Sequence, residues 1–125
     1  MVKVQYLGWF SDLPHGRRGA ARLRDSRDEL TEQEANLAAN YLDNGTCIAE
    51  TTGAILHDEL DPERPVIGPF RTLTDGIYIW PSDLPYYVRQ YHVAVPAELL
   101  SAARHGLPPA LSESEVDDVV DALLA

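Results

Sequence analysis

The side chains best suited to acid–base or metal chemistry are four histidines, at positions 15, 57, 92 and 105, and a single cysteine, Cys47. No two histidines have the i, i+4 spacing that places two imidazoles on one face of a zinc-binding helix. One cysteine supplies neither the thiolate set of a structural zinc site nor an intramolecular disulfide. Cys47 has no Lys or Arg near it in the chain to favour a thiolate, so we interpret it as a structural thiol. We predict no metal site and no cofactor.

His57 precedes an acidic, turn-rich segment, residues 58–65 (DELDPERP). A carboxylate of this segment next to the imidazole would form a general base with an orienting group. A surface histidine among solubilising acids explains the same pattern. The chain contains neither G-x-S-x-G nor another nucleophile signature. We therefore predict no catalytic residue; the sequence does not decide whether the chain is an enzyme, and it favours a non-enzymatic protein.

Basic side chains are concentrated in one segment, residues 11–28, which contains Arg17, Arg18, Arg22, Arg24 and Arg27. Its glycines resemble those of a phosphate-binding loop, but neither G-x-x-x-x-G-K-[ST] nor G-x-G-x-x-G is present. Two interpretations stay open. The arginines pair with the chain's own acids, or they recognise an anionic small molecule.

The charge balance is strongly acidic: 20 acidic residues against 10 basic ones give a net charge of −10. Such a surface repels phosphate backbones and anionic lipid, which argues against nucleic-acid and membrane binding. It attracts a basic partner and accelerates the encounter with it. The need for solubility explains the same charge.

A hydrophobic fraction of 45% in 125 residues indicates one folded domain, residues 1–125.

The first ten residues, MVKVQYLGWF, lack the basic leader and the long apolar segment of a signal peptide. No apolar run approaches the roughly 20 residues that a membrane-spanning helix needs. The single cysteine gives no sign of an oxidising compartment. We therefore expect a soluble, cytoplasmic protein.

An Asp75-Gly76 pair lies between two runs rich in β-forming residues, FRTLT and IYIW, and is the strongest short-range hairpin signal in the chain. A two-residue type I′ turn, with positive φ at both positions, sets Leu73 opposite Tyr78. Pro81 cannot donate to the ladder, so we expect the second strand to end at Trp80. This hairpin is the predicted centre of the sheet.

Ser82 follows the hairpin and is placed to cap a helix. The next residues have the i, i+3, i+4, i+7 spacing of one buried helix face, formed by Leu84, Tyr87, Val88 and Tyr91. Tyr86 and Arg89 then face outward, and an exposed aromatic beside an arginine is typical of interface hot spots. Trp80, at the corner between strand and helix, is a candidate lining residue for a small pocket.

Three structured segments are predicted before the hairpin. Residues 2–10 alternate in polarity and predict a first strand. Thr31–Glu34 has the pattern of a capping box and opens a helix over residues 32–43. Segments 46–51 and 54–57 are β-like runs separated by a Thr-Gly pair, and they form either a hairpin or one bulged strand.

Two further helices are predicted after the tyrosine-rich one. The first is bounded by Pro96 and Gly106, and the second opens with a capping box at Ser112–Glu115. Its apolar stripe consists of Val116, Val119, Val120, Leu123 and Leu124, and its other face carries only acids: Glu113, Glu115, Asp117, Asp118 and Asp121. A homodimer paired through the apolar stripe is one possible use of this helix.

The order of these elements predicts an α+β domain. We expect a small antiparallel sheet of about four to five strands, centred on the Asp75-Gly76 hairpin, with about four helices packed mainly on one face.

The block 74–96, TDGIYIWPSDLPYYVRQYHVAVP, has a W-P-x-D-L-x-Y-Y-V pattern. It resembles C-terminal segments of small, mostly uncharacterised bacterial proteins, some of which resemble immunity partners of secreted toxins. The resemblance implies a compact, acidic inhibitor that neutralises a basic toxin.

Two functional hypotheses follow. The first is a non-enzymatic acidic binding protein of the immunity or inhibitor type, which occludes a basic protein partner. Its predicted partner-binding residues are Asp58, Glu59, Asp61, Glu63, Tyr86, Arg89, Asp117, Asp118 and Asp121. The alternative is a small-molecule-binding or biosynthetic accessory protein or enzyme that uses the Arg17–Arg27 loop and the aromatic corner. Its predicted ligand contacts are Arg17, Arg18, His57 and Trp80.

Overall fold

The computed structural model describes residues 3–124, so Val2 of the predicted first strand lies outside the described residues. Those residues form four strands and four α-helices, which confirms the predicted α+β class. The strands are β1 (Gln5–Tyr6), β2 (Thr46–His57), β3 (Val66–Thr74) and β4 (Tyr78–Pro81). The helices are α1 (Glu32–Asp43), α2 (Leu84–Tyr91), α3 (Ala97–His105) and α4 (Glu113–Leu124). None of the helices in the described range has the length and apolarity to cross a bilayer.

The sheet has the strand order β1-β4-β3-β2. The β2–β3 and β3–β4 pairs are antiparallel, as expected, whereas β1 runs parallel to β4 and makes the sheet mixed. β1 contains only Gln5 and Tyr6, so most of the strand predicted over residues 2–10 is irregular. Gly8 ends it: its φ is +79°, and a Cβ there would lie 2.8 Å from the Leu84 side chain.

The turn between β3 and β4 differs from the predicted two-residue type I′ turn. Leu73 pairs with Trp80, not with Tyr78, and φ is positive at Gly76 but not at Asp75. The Asp75 carboxylate accepts a hydrogen bond from the backbone N–H of Tyr78 at 2.8 Å, which holds a wider turn. The register has shifted by two residues, so each side chain keeps its predicted face.

The segment 46–57 is one bulged strand, which decides between the two arrangements left open by the sequence. Its pairing with β3 is irregular between Glu50 and Ile55. Gly53 lies inside this irregularity with a φ of +81°, a value that glycine adopts without strain. The extra residues form a bulge in the middle of β2, and most of this part of the strand is exposed.

Both predicted capping boxes are present. Thr31 Oγ1 accepts from the backbone N–H of Glu34 at 3.1 Å, and the Glu34 carboxylate accepts from the N–H of Thr31 at 3.0 Å. Ser112 and Glu115 make the same pair of bonds, both 3.1 Å long, at the start of α4. The bounds of α1 are those predicted.

Ser82, by contrast, does not cap α2. Its Oγ donates to the carbonyl of Pro69 at 2.9 Å and accepts from the N–H of Arg71 at 2.9 Å, so it extends the contact between β3 and β4. β4 therefore includes Pro81, one residue beyond the predicted end. Asp83 directly precedes α2, and its side chain forms no cap either.

The two faces of the sheet are covered unequally. Leu73 and Trp80 pair directly and belong to the main core, which they share with side chains of α1, α2 and α3. Ile79 points to the opposite face and borders an apolar groove of about 310 Å³ together with the last turns of α4. Val119 of α4 is buried, whereas Leu124 is 81% exposed. Helices therefore cover mainly one face, and α4 covers the other in part.

Candidate functional site

The outer face of α4 is an acidic surface without neutralising cations. Its apolar stripe turns towards the sheet, and the carboxylates on the other side are exposed: Glu113, Glu115, Asp117, Asp118 and Asp121. We call these five residues the acidic face. The hydrogen bonds from Ser112 hold the pKa of Glu115 below its ordinary value, so this carboxyl is charged at neutral pH.

Six of the nine arginines are paired with carboxylates elsewhere in the described residues. Six ion pairs between the described residues involve arginine, and none of them includes a residue of α4. They are Arg22–Asp25, Arg24–Asp12, Arg64–Glu59, Arg71–Glu50, Arg89–Asp43 and Arg104–Glu34. The acidic face thus keeps its full charge, while part of the remaining surface is neutralised internally.

Asp58, which we predicted to contact a partner, is buried instead, with 1% of its surface exposed. One carboxylate oxygen accepts hydrogen bonds from the hydroxyls of Tyr91 and Tyr86, at 2.6 and 2.8 Å. The other accepts from the backbone N–H groups of Leu60 and Asp61, at 2.8 and 3.1 Å. Asp58 is therefore an internal anchor between α2 and the turn that follows β2.

Burial and these hydrogen bonds shift the pKa values of Asp58 and of its two tyrosine partners. Burial alone would raise the pKa of Asp58, but the bonds from Tyr91, Tyr86 and the two backbone N–H groups outweigh it and hold the pKa below its ordinary value. Burial, and next the bond to Asp58, raise the pKa of Tyr86 to about 12 and also raise that of Tyr91. Tyr86, predicted as an exposed hot spot, is half-buried and its hydroxyl is already engaged.

The other residues predicted to bind a partner near this turn are only partly available. Glu59 is half-buried and accepts two bonds from Arg64, at 2.8 and 2.9 Å. Asp61 is half-buried and accepts from the N–H of Glu63 at 2.9 Å. Glu63 itself is exposed. Arg89 is exposed and lies 3.0 Å from a carboxylate of α1.

The turn and the acidic face do not form one surface. Leu111, just before α4, donates to Thr46 Oγ1 at 3.3 Å and so lies at the start of β2. The acidic turn follows His57, at the end of the same strand. The two acidic segments are therefore at opposite ends of the β2–β3 hairpin, and Asp117, Asp118 and Asp121 lie apart from the turn.

Arg17 and Arg18 border a cleft of about 580 Å³ next to β1. The guanidinium carbon of Arg17 is 3.5 Å from the centroid of the Tyr6 ring, which is a cation–π contact. Neither arginine is among the ion pairs of the described residues. Both guanidinium groups are exposed and can meet an anion from solution.

The remaining two residues of the predicted ligand site lie elsewhere. Trp80 is fully buried, and its Nε1 donates to the carbonyl of Leu42 at 3.2 Å, so it cannot line a pocket. His57 borders a different cleft, of about 420 Å³. The structure therefore does not unite Arg17, Arg18, His57 and Trp80 in one site.

The cleft that contains His57 also contains His15, for which we predicted no role. His15 Nε2 lies 2.9 Å from an oxygen of the buried Asp83. The imidazole is in edge contact with Phe70, with ring centroids 5.0 Å apart. Sequence reasoning missed this pair because the two residues are distant in the chain, and a carboxylate before a helix is ordinarily read as a cap.

Metal-binding side chains do not converge in the part of the chain that the structure describes: His, Cys, Asp and Glu form no group of three or more suited to an ion. No protein-family model, no curated protein and no solved structure matches the chain.

Proposed function

We propose that this protein is an acidic binding protein that occludes a basic protein partner, in the manner of an immunity or inhibitor protein. The observation that carries the proposal is the acidic face of α4, whose carboxylates are exposed and belong to none of the ion pairs of residues 3–124. A basic surface would neutralise them on binding.

The surroundings of the acidic face suit a protein interface. Leu124 is exposed, and Val120 and Leu123 are half-buried beside it, so apolar surface lies next to the charges. Protein interfaces combine an apolar centre with a polar rim in this way. A net charge of −10 adds long-range attraction for a basic molecule. Of the residues predicted near the turn, Glu63 stays available for a peripheral contact.

The same proposal places the protein in the cytoplasm. Cys47 is a free and exposed thiol, and such thiols stay reduced in the glutathione-buffered cytosol.

Neutralising α4 is expected to weaken partner binding. In the triple variant Asp117→Asn, Asp118→Asn and Asp121→Asn, association with the basic partner should slow by about tenfold at low ionic strength, because steering by charge is lost. Immobilised wild type and variant serve as baits for host lysate, the retained proteins are identified, and association rates are then measured with the purified partner at increasing salt.

A matched control neutralises three exposed acids outside α4: Glu29→Gln, Glu32→Gln and Glu98→Gln. This variant has the same net charge as the α4 variant and should associate at nearly the wild-type rate. Equal losses in both variants would show that only total charge matters, and a rate independent of salt would contradict the proposal.

A second candidate function is binding of an anionic small molecule by Arg17 and Arg18. The favouring observation is that both exposed guanidinium groups border one cleft without a carboxylate partner in the described chain. Arginine is well suited to phosphate and carboxylate recognition because its donors match their geometry.

Inorganic pyrophosphate tests this candidate. At about 100 times its Kd it should stabilise the wild type by about 2.7 kcal/mol and raise the melting temperature accordingly, whereas Arg17→Ala with Arg18→Ala should abolish the rise. The control pair Arg22→Ala and Arg27→Ala removes two cations from the same loop but outside the cleft, and should respond like the wild type. A rise that survives loss of Arg17 and Arg18 would contradict the assignment.

A further inference from the structure

Asp83 is a buried carboxylate that does not take the partners expected at its position. It is 0% exposed and directly precedes α2, where an Asp side chain ordinarily accepts from the first backbone N–H groups. Pro85 lacks one of those N–H groups, and neither oxygen of Asp83 has a hydrogen-bond partner in the described chain. The start of a helix favours negative charge, but a buried carboxylate still needs a specific partner.

The nearest such partner is His15, whose Nε2 is 2.9 Å from Asp83 Oδ2. The N–H is not aligned with the oxygen in this structure, and catalytic hydrogen bonds are often poorly aligned before substrate binds. Edge contacts with Phe70 and Trp9, at centroid distances of 5.0 and 6.2 Å, hold the ring. The two aromatic contacts therefore hold the imidazole with its Nε2 edge towards the Asp83 carboxylate.

The part of the imidazole that is not buried against Asp83 borders the cleft. The His15 side chain is 12% exposed, and Nε2 is its buried nitrogen. A carboxylate at Nε2 keeps the proton of a neutral imidazole on that nitrogen, which leaves the lone pair of Nδ1 for a second partner. An aspartate orienting a histidine in this way is the usual arrangement of a general base.

The cleft in front of His15 has a volume of about 420 Å³ and an apolar wall that includes Leu56 and Phe70. The charges of Glu59 and Arg64 in its lining cancel in a bidentate pair. His57 also lines it, and its ring makes no hydrogen bond to other described residues, so an N–H is available to a carbonyl oxygen. These properties fit a small uncharged molecule with an apolar group and a polarised carbonyl.

We infer that this cleft hydrolyses small uncharged carboxylic esters, with His15 as the general base and Asp83 as a positioning residue. A water oxygen forms a bond to the carbonyl carbon while one water proton passes to His15 Nδ1. The carbon–oxygen bond to the alcohol then breaks, and the proton leaves with the alcohol. The products are a carboxylic acid and an alcohol, and water is the sole co-reactant. This activity is independent of the acidic face.

The probe is 4-nitrophenyl acetate, hydrolysed by the full chain and followed through release of 4-nitrophenol. His15→Gln should lower kcat/KM by about a hundredfold, the loss typical of a general base. His105→Gln is the matched control, because His105 is exposed and lies outside the cleft. It should leave the rate unchanged, which separates His15 from the slow reaction of any surface imidazole. A wild-type rate in His15→Gln would overturn the inference.

Asp83→Asn tests positioning, since it keeps the shape of the side chain. We expect a lower kcat with an unchanged KM, because the ester still binds but the imidazole loses its fixed proton. Long-range nitrogen NMR spectra of the wild type should show neutral His15 protonated at Nε2. A proton on Nδ1 would overturn the inference even if Asp83→Asn fails to fold, and an unchanged kcat in a folded Asp83→Asn protein would do the same.

Discussion

Replacing Trp80 with alanine is expected to lower the free energy of unfolding by about 3–5 kcal/mol, the range for large aromatic side chains in cores. Trp80 is completely buried, and its Nε1 bond to Leu42 satisfies a backbone carbonyl. The ring reaches the backbone of Gly45, where an added Cβ would lie 2.5 Å from Cζ2. The truncation therefore leaves a cavity and removes one hydrogen bond from the carbonyl of Leu42, which still accepts from the backbone N–H of Gly45 at 3.3 Å. Urea denaturation followed by circular dichroism measures the loss.

Trp80→Phe is the matched control for this substitution. It keeps most of the ring volume and loses the hydrogen bond to Leu42, so we expect a clearly smaller loss than for alanine. The loss expected for the alanine variant is a large part of the total free energy of unfolding, which is usually about 5–15 kcal/mol for a domain. An alanine variant destabilised by less than about 1 kcal/mol would show that Trp80 is not the packing centre.

Asp58→Asn is expected to destabilise the protein by about 2–4 kcal/mol, since hydrogen bonds to a buried charged group are among the stronger ones. Both oxygens of Asp58 accept two bonds each. An amide has a single oxygen, so in either orientation its NH₂ group replaces an acceptor at one of these pairs. Glu63→Gln, an exposed change in the same turn, should alter stability by less than about 0.5 kcal/mol.

The same variant should change the response to acid. The pKa of Asp58 is lower in the folded protein than its ordinary value, so the carboxylate stabilises the fold above the unfolded pKa of about 3.9. This contribution is lost as the pH falls from there through the lowered folded pKa. Thermal unfolding from pH 7 to pH 2 should show a shallower acid loss in Asp58→Asn than in the wild type. If the melting temperatures of the two proteins fell equally with pH, the stabilising role of the Asp58 carboxylate would be contradicted.

Predictions from sequence succeeded where the interactions are local. The capping boxes at Thr31 and Ser112 involve residues three positions apart, and they fixed the starts of α1 and α4. The type I′ turn was wrong because a remote side chain takes part: the hydroxyl of Tyr41, in α1, donates to the carboxylate of Asp75 at 2.8 Å. That contact and the bond to Tyr78 orient Asp75 in a way that spacing along the chain does not reveal.

The same contrast between local and remote contacts explains which residues of the candidate sites could be predicted. The acidic face of α4 was predictable because one helix supplies all its carboxylates and contains no cation. The pairing of His15 with Asp83 was not, because it depends on how the loop after β1 packs against the start of α2. Asp58 was misplaced because its hydroxyl partners, Tyr86 and Tyr91, come from a helix far along the chain.

The parallel pairing of β1 with β4 has a consequence for the order of folding. Trp9 donates to the carbonyl of Ile79, 70 positions later in the chain, and β1 itself consists of two residues. Closing so long a loop carries an entropic penalty that two ladder positions offset only weakly. On a ribosome, β1 has no strand to join until β4 has emerged, so it docks late. In the finished protein we expect this edge to open before the central strands do, so the amide hydrogens of Gln5 and Leu7 should exchange with solvent well before those of β3 and β4.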